Sequence, residues 1–239
     1  MYDIVFISYN EKTSNEKFLN LLSKTATLPN KVRRVNGIQG IHQAHIEAAK
    51  QVETKMFYVV DSDADILPNF KFNLKLDPSE EDIVHVWRSR NPINGLEYGY
   101  GGVKLLPTEL TRNVDINSAD MTTSISPRFK VMDQISNVTA FNTDPLGTWR
   151  SSFRECAKLA SKVIDGQLNE ETDHRLNVWR FNTSNALYAE YSRGGASAGH
   201  WFGTTYKNDP ETLKKINDYN WLQEQFEVHI KLFPPETFK

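Results

Sequence analysis

The amino-terminal part of the chain alternates between apolar runs of strand length and amphipathic runs at helical spacing. Asp3 to Ser8 is apolar and β-branched and ends in the polar turn Tyr9-Asn10-Glu11, which predicts a buried strand. From Asn15 to Leu22, Phe18, Leu19, Leu21 and Leu22 fall at helical spacing behind Ser14, a candidate N-cap. Lys31 to Val35 predicts a short basic strand. Gly37 and Gly40 then open a second helix carrying Ile41, Ala44, Ile46, Ala48 and Ala49. That helix leads into the apolar strand Met56 to Asp61. The order β-α-β-α-β, with strands that are continuous apolar runs, predicts a mainly parallel Rossmann-type sheet flanked by helices.

Past this point the periodicity weakens. Ile83 to Trp87 predicts a strand, Asn91-Pro92 and Asn94-Gly95 predict turns, and Tyr98 to Leu106 a second strand or loop. Residues 107 to 142 are polar and irregular and are expected to form an insert. Thr143-Asp144-Pro145 is a helix-start signal, with proline in the first turn and Asp144 as candidate N-cap. Residues 161 to 180 predict two weak helices with charged faces. Gly194 to Tyr206 is rich in small residues and then aromatic, the composition of a mobile segment able to close over a ligand. Asp209 to Phe226 predicts a final helix or helix pair. No repeat, low-complexity tract or linker interrupts the chain, so a single domain is expected, with halves at 1–106 and 107–239.

Composition narrows this picture modestly. With 239 residues and 39% hydrophobic content the chain can bury a sizeable core. A net charge of -2 argues against a large nonspecific nucleic-acid grip but leaves room for a local basic groove. The single cysteine, Cys156, excludes an internal disulfide and lies on a predicted helix face, as a small buried thiol rather than a nucleophile. Met1-Tyr2-Asp3 runs straight into a strand, and no apolar run approaches the ~20 residues that span a bilayer, so a cytoplasmic protein without a membrane is expected.

The densest chemistry is Asp61-Ser62-Asp63-Ala64-Asp65, where an apolar strand stops at carboxylates two residues apart. Side chains two apart on an extended chain face the same side, so Asp61 and Asp63, or Asp63 and Asp65, can bring hard oxygen ligands to one cation. Asp65 can instead cap the turn that follows, and an isolated Asp-x-Asp is most often a solvated acidic turn. Neither G-x-G-x-x-G nor G-x-x-x-x-G-K-[ST] follows the first strand, which removes support for a dinucleotide or P-loop site. A second patch runs from His85 to Lys104. Its rings Trp87, Tyr98 and Tyr100 offer stacking faces, Arg88, Arg90 and Lys104 offer phosphate partners, and Gly101 and Gly102 leave backbone open to a ligand. The competing description is a glycine-rich hairpin with core aromatics. His42 and His45 share a helix face at i, i+3 without a partnering carboxylate motif; His85, His174 and His229 carry less signal.

A strand ending in Ser8-Tyr9-Asn10-Glu11, followed by one ending in Asp61-Ser62-Asp63, resembles the nucleotide-sugar half of the GT-A fold glycosyltransferases, especially the family 2 type. The resemblance covers about residues 1 to 105. It implies that Ser8, Tyr9, Asn10 and Glu11 embrace nucleobase and ribose. It implies further that Asn36, Gly37 and His42, in the segment Asn36 to Ala44, lie beside the base. Asp61, Ser62 and Asp63 would hold ribose and a Mn²⁺ or Mg²⁺ bridging the donor diphosphate. Such an ion neutralises the charge that develops on a sugar-diphosphate leaving group. Many members supply a late histidine as metal ligand, which points to His200. Inverting members deprotonate the acceptor with a carboxylate at the start of a late helix, a place matched by Asp144, with Asp133 as substitute; a retaining enzyme needs no such base.

The segments Asn91 to Leu96 and Tyr98 to Lys104 are also similar to a group of small phage-encoded transferases of this fold. Some of these add arabinose or another sugar from a UDP donor to hydroxymethylcytosine in DNA. That likeness implies a UDP-sugar donor, a DNA acceptor at hydroxymethylcytosine and a host-cytoplasm location. The alternatives are a transferase of surface polysaccharide or glycoprotein synthesis and a non-catalytic nucleotide-sugar-binding module.

Overall fold

A continuous apolar run must be covered on both faces, and Asp3–Ser8 achieves this as strand β1 between two parallel partners, β2 (Val32–Asn36) and β3 (Met56–Asp61). Along β3 the side chains separate by parity. Phe57 and Val59 join Val5, Val35, Ala48 and Leu106 on one face, while Met56, Tyr58 and Val60 join Ile4, Phe6, Leu21, Phe70 and Trp87 on the other. Helix α1 (Ser14–Thr25) covers the second face through Leu21, and α2 (Ile41–Lys50) covers the first through Ala48 and Ala49. Ser14 does not cap α1: Thr13 holds the N-cap position without a side-chain hydrogen bond, and the Ser14 hydroxyl accepts from Arg34 instead.

The computed structural model describes residues 1–99, 101–118, 120–162 and 168–238. After β3 come β4 (Ala64–Ile66), β5 (Val84–Arg90), β6 (Glu97–Tyr98), β7 (Val103–Pro107), the short helices α3 (Thr108–Arg112) and α4 (Met121–Ile125), and β8 (Phe129–Thr139). The sheet order is β2-β1-β3-β7-β5-β8-β4, with β6 beside β5. Strands β1, β2, β3, β5 and β8 point one way; β4, β6 and β7 oppose them. The mainly parallel α/β sheet flanked by helices is therefore present. Residues 107 to 142 do not form the irregular insert expected of them, because β8 within that stretch pairs with β5 and β4.

By contact the chain divides into two compact units, Met1–Arg90 with Glu97–Thr139, and Asn91–Leu96 with Ala140–Lys239. Strand β8 completes the sheet of the first unit, which therefore runs on to Thr139. The second unit is helical: α5 (Pro145–Ser161), α6 (Asn169–Phe181), α7 (Ala189–Thr205), α8 (Pro210–Leu213) and α9 (Tyr219–Leu232). Its core gathers Trp149, Phe153, Ala157, Phe202, Leu213, Ile216 and Leu222. The stretch Gly194 to Tyr206 is no loop. It forms most of α7, and Gly195, Gly199 and Gly203 press this helix against the backbone of α5 at Trp149, Phe153 and Ala157. Where two weak helices were expected over 161 to 180, α6 alone is described, with residues 163 to 167 outside the described set. Cys156 is fully buried on α5, and burial drives its thiol pKa well up, as an inert core thiol requires. Among the described residues no helix is long and apolar enough to cross a membrane.

Candidate functional site

Parallel register brings the carboxyl ends of β1 and β3 together. Ile7 lies beside Asp61, the Ser62 N–H donates to the Ile7 carbonyl at 2.9 Å, and the Ser8 carbonyl accepts from the Gly37 N–H at 3.1 Å. Loops leaving the carboxyl edge of such strands are where open α/β sheets place ligands. Ser8 is buried, and its hydroxyl donates to Asn36 Oδ1 at 2.7 Å. Tyr9, Asn10 and Glu11 are exposed, and the turn is closed by the Tyr9 N–H donating to Glu11 Oε2 at 2.8 Å. Gly37 at φ +75° lets the chain turn away from β2.

Arg34 ties these pieces together, although no motif or spacing singles it out. Its Nε donates to Ser8 Oγ at 3.0 Å, one Nη to Asn15 Oδ1 at 2.6 Å, and the other to Ser14 Oγ at 3.0 Å and Asn36 Oδ1 at 3.2 Å. The guanidinium also lies over the rings of Phe18 and Phe6, 5.4 and 5.8 Å from their centroids.

The carboxylates divide by partner. Asp61 Oδ2 accepts from Lys104 Nζ at 2.7 Å, and the lysine side chain is only 4% exposed. Asp65 pairs with Lys17 at 2.9 Å on the α1 side. Asp61 and Asp65 are thus each held by a lysine, while Asp63, in the turn between β3 and β4, has the charge of Asp61 as its nearest electrostatic influence after burial. Burial, only partly offset by Lys104, raises the pKa of Asp61, and the charge of Glu11 adds to the rise. Asp63 is pushed up to about 6, first by burial and then by the charge of Asp61. Two hard carboxylates that repel each other, with Glu11 adding to the negative field, make a donor set that fits Mg²⁺ or Mn²⁺. Among the described residues no three His, Cys, Asp or Glu side chains gather where one ion could be held.

The His85 to Lys104 patch is mostly structural. Trp87 is buried against Tyr58 and Phe70, its ring centroid 5.6 and 5.5 Å from theirs, and Tyr98 is also buried, so neither ring is a free stacking platform. Arg88 donates twice to the Glu97 carbonyl and Arg90 pairs with the Glu97 carboxylate at 2.7 Å, which pins β5 to β6. Tyr100 lies outside the described residues. Gly101 and Gly102 make room for side chains of the protein, Lys104 and Asn137 respectively. Asn137 belongs to a buried network the sequence did not signal: its Oδ1 accepts from Ser89 Oγ at 2.8 Å and from Ser136 Oγ at 2.7 Å.

On α2, His42 and His45 are buried. The His45 Nδ1 lies 2.8 Å from the Ile41 carbonyl, and burial, reinforced by the charge of Lys104, pushes its pKa down to about 3. A cavity of about 170 Å³ opens between α1 and β4, lined by Lys17, Asn20, Lys24 and Asp65 on the Phe6 and Val60 face. Asp61 faces the opposite side of β3, whereas Asp63, in the turn that follows, feels the charge of Lys17, one of the residues that line this cavity.

Two predicted residues belong to the second unit. Asp144 is the N-cap of α5, its Oδ1 accepting from the Gly147 N–H at 2.7 Å. His200 sits inside α7 rather than on a loop, and burial lowers its pKa. Asp133, in the first unit, is exposed on β8.

No family model matches the chain, and no curated protein matches it. Among solved structures it is similar to a glycosyltransferase involved in glycosylation of the major capsid of PBCV-1, at 15% identity and a TM-score of 0.37 over 55% of this chain and 82% of that one. HddC from Yersinia pseudotuberculosis is similar at 13% identity and a TM-score of 0.33, over 59% of this chain and 91% of that one. Residues 1–349 of S. aureus TarS are similar at 11% identity and a TM-score of 0.35, over 91% of each chain. Overlaps this loose leave the site to be argued from the chain itself.

Proposed function

We propose that the chain is a glycosyltransferase of the GT-A type that transfers a sugar from a UDP-sugar in the presence of Mn²⁺ or Mg²⁺. The observation that carries the reading is the Asp61 and Asp63 pair, pKa raised at both, set at the same strand edge as the exposed Tyr9-Asn10-Glu11 turn and the Asn36-Gly37 turn. A bound divalent ion supplies charge stabilisation for a departing diphosphate. The residues of the chain have their own tasks: Asp61 and Asp63 hold the ion, Tyr9 offers a ring to the base, and Ser8 and Asn36, locked by Arg34, fix the turn around the ribose.

The proposed acceptor is a hydroxyl, specifically that of hydroxymethylcytosine in DNA. This part rests on the resemblance of Asn91 to Leu96 and Tyr98 to Lys104, with an acceptor base turned out of the stack to reach the site. Asp144 remains the proposed base; as N-cap its Oδ1 accepts from the Gly147 N–H at 2.7 Å, and its Oδ2, which accepts from the Thr143 hydroxyl at the longer 3.3 Å, is the oxygen proposed to take the proton.

The test is Mn²⁺-dependent release of UDP from a panel of UDP-sugars, with mass spectrometry of hydroxymethylcytosine-containing DNA as the acceptor arm. Asp63→Ala is expected to lower turnover by about 10²–10³-fold, the usual cost of removing one preorganised charge-stabilising group. Full activity in that variant would discard the metal assignment. UDP release without modified DNA would retain the transferase and reject the acceptor.

A further inference from the structure

Lys104 is held in a setting that a ligand-binding lysine does not need. It stands on β7 opposite Val59 of β3, its side chain is almost wholly buried, and its ammonium ends 2.7 Å from Asp61 Oδ2. Gly101 makes the channel. At φ +82° it carries no Cβ, and one placed there would sit 2.8 Å from Lys104 Cε. The next residue fixes the partner, since the Gly102 carbonyl accepts from the Asp61 N–H at 2.9 Å. One short loop thus positions both members of the pair.

The geometry points to Lys104 as a resident positive charge that competes with a divalent cation for Asp61, and so makes binding of that cation depend on the nucleoside diphosphate. This rests on the nucleotide-sugar reading. With Oδ2 of Asp61 taken by the ammonium, an ion finds the other Asp61 oxygen and the Asp63 carboxylate, and it feels the repulsion of a charge that cannot swing away. A divalent ion with two aspartates and one lysine leaves a single surplus positive charge. Diphosphate oxygens supply both the missing ligands and the balancing charge, in keeping with an ion that prefers few protein carboxylates plus phosphate. Linkage makes the effect reciprocal: the nucleotide binds less tightly without the ion. Lys104 is on this account a positioning residue.

The experiment follows free Mn²⁺ by electron paramagnetic resonance, with and without UDP, in the full chain. In the unmodified protein UDP should tighten Mn²⁺ binding by at least about tenfold. In Lys104→Met, Mn²⁺ alone should bind about tenfold more tightly, a close charge at protein-like dielectric being worth at least that, and the enhancement by UDP should shrink by a similar factor. Lys104→Arg keeps the charge and should behave like the unmodified protein. If the methionine variant is unfolded by circular dichroism, Lys104→Gln, which is neutral, one atom shorter and still carries an N–H donor, is read in its place. Unchanged or weaker Mn²⁺ binding in the neutral variants, or an undiminished UDP effect, overturns the inference. Mn²⁺–UDP binding that is lost in Asp63→Ala but unaltered in Lys104→Met rejects this inference and keeps the nucleotide-sugar reading. No Mn²⁺ binding at all, with UDP present, rejects both.

Discussion

Gly101 and Gly102 in the first unit, and Gly195, Gly199 and Gly203 in the second, all stand where a Cβ would collide with a neighbour, but the neighbours differ in kind. At Gly101 and Gly102 the neighbours are the ends of polar side chains, Lys104 and Asn137, and Gly101 also has a left-handed backbone. On α7 the neighbours are the carbonyl oxygens of Trp149, Phe153 and Ala157, one helical turn apart on α5. The first set makes space for charge and hydrogen bonds beside a strand end. The second removes side-chain bulk so that two helix backbones can meet. Glycine content alone does not distinguish them; the period does, since 195, 199 and 203 repeat at the four-residue spacing of a helix ridge and 99, 101 and 102 do not.

The largest effect that separates the two sets should come from Gly199→Ala. Its Cβ would overlap the backbone of Phe153, which has no rotamer into which to retreat, so the helices must move apart. A loss of about 3 kcal/mol is expected, at the upper end of overpacking costs. Urea unfolding followed by tryptophan fluorescence reads it well, because Trp149, Trp179, Trp201 and Trp221 lie in the second unit. An unshifted midpoint would mean that α7 is not locked on α5. Gly101→Ala should cost less, about 1–2 kcal/mol, from the strained φ and a lysine tail that can give way. Its signature is a changed response to Mn²⁺ and UDP with little change in the second unit. A cost equal to that of Gly199→Ala would erase the distinction.

The sequence made β1, α1, β2, α2 and β3 legible because each carries its own period, and Asp61 to Asp65 because carboxylates interrupt an apolar strand. It concealed what depends on strand order. Lys104 meets Asp61 only because β7 is inserted, reversed, between β3 and β5, and nothing local to residue 104 announces that neighbour. Trp87 looked like a ligand platform for the same reason: Phe70, which buries it, lies on a segment without periodicity. Strand β8 was invisible because its pattern is inverted, with Phe129 and Val131 exposed and Ser136 and Asn137 buried in a polar network. The glycines of α7 carried a helical spacing all along, obscured by the low helix propensity of the residues that bear it.

The smallest effect tests whether the first unit holds charge in an unfavourable setting at all. Asp63 is pushed up to about 6 in the fold, by burial and then by Asp61, whereas a carboxyl in an unfolded chain titrates near 4. Between about pH 4 and about pH 6 the folded state therefore carries a proton that the unfolded state lacks. The stability linked to this group is complete below about pH 4 and is lost as pH rises through about 6. Asp63→Asn removes that loss. In chelator, the variant and the unmodified protein should be equally stable near pH 4, and the variant should be the more stable above pH 6, by about 1 kcal/mol after allowance for solvent screening at a partly exposed side chain. His45, pushed down to about 3, acts in the opposite sense, since stability falls as pH drops below about 6.5, but it is common to both proteins and cancels in the difference. Urea midpoints taken from about pH 4 to about pH 8 measure that difference directly. A difference that stays flat across the range would show Asp63 to titrate as an ordinary surface carboxylate, and the room made by Gly101 would then serve packing, as it does on α7.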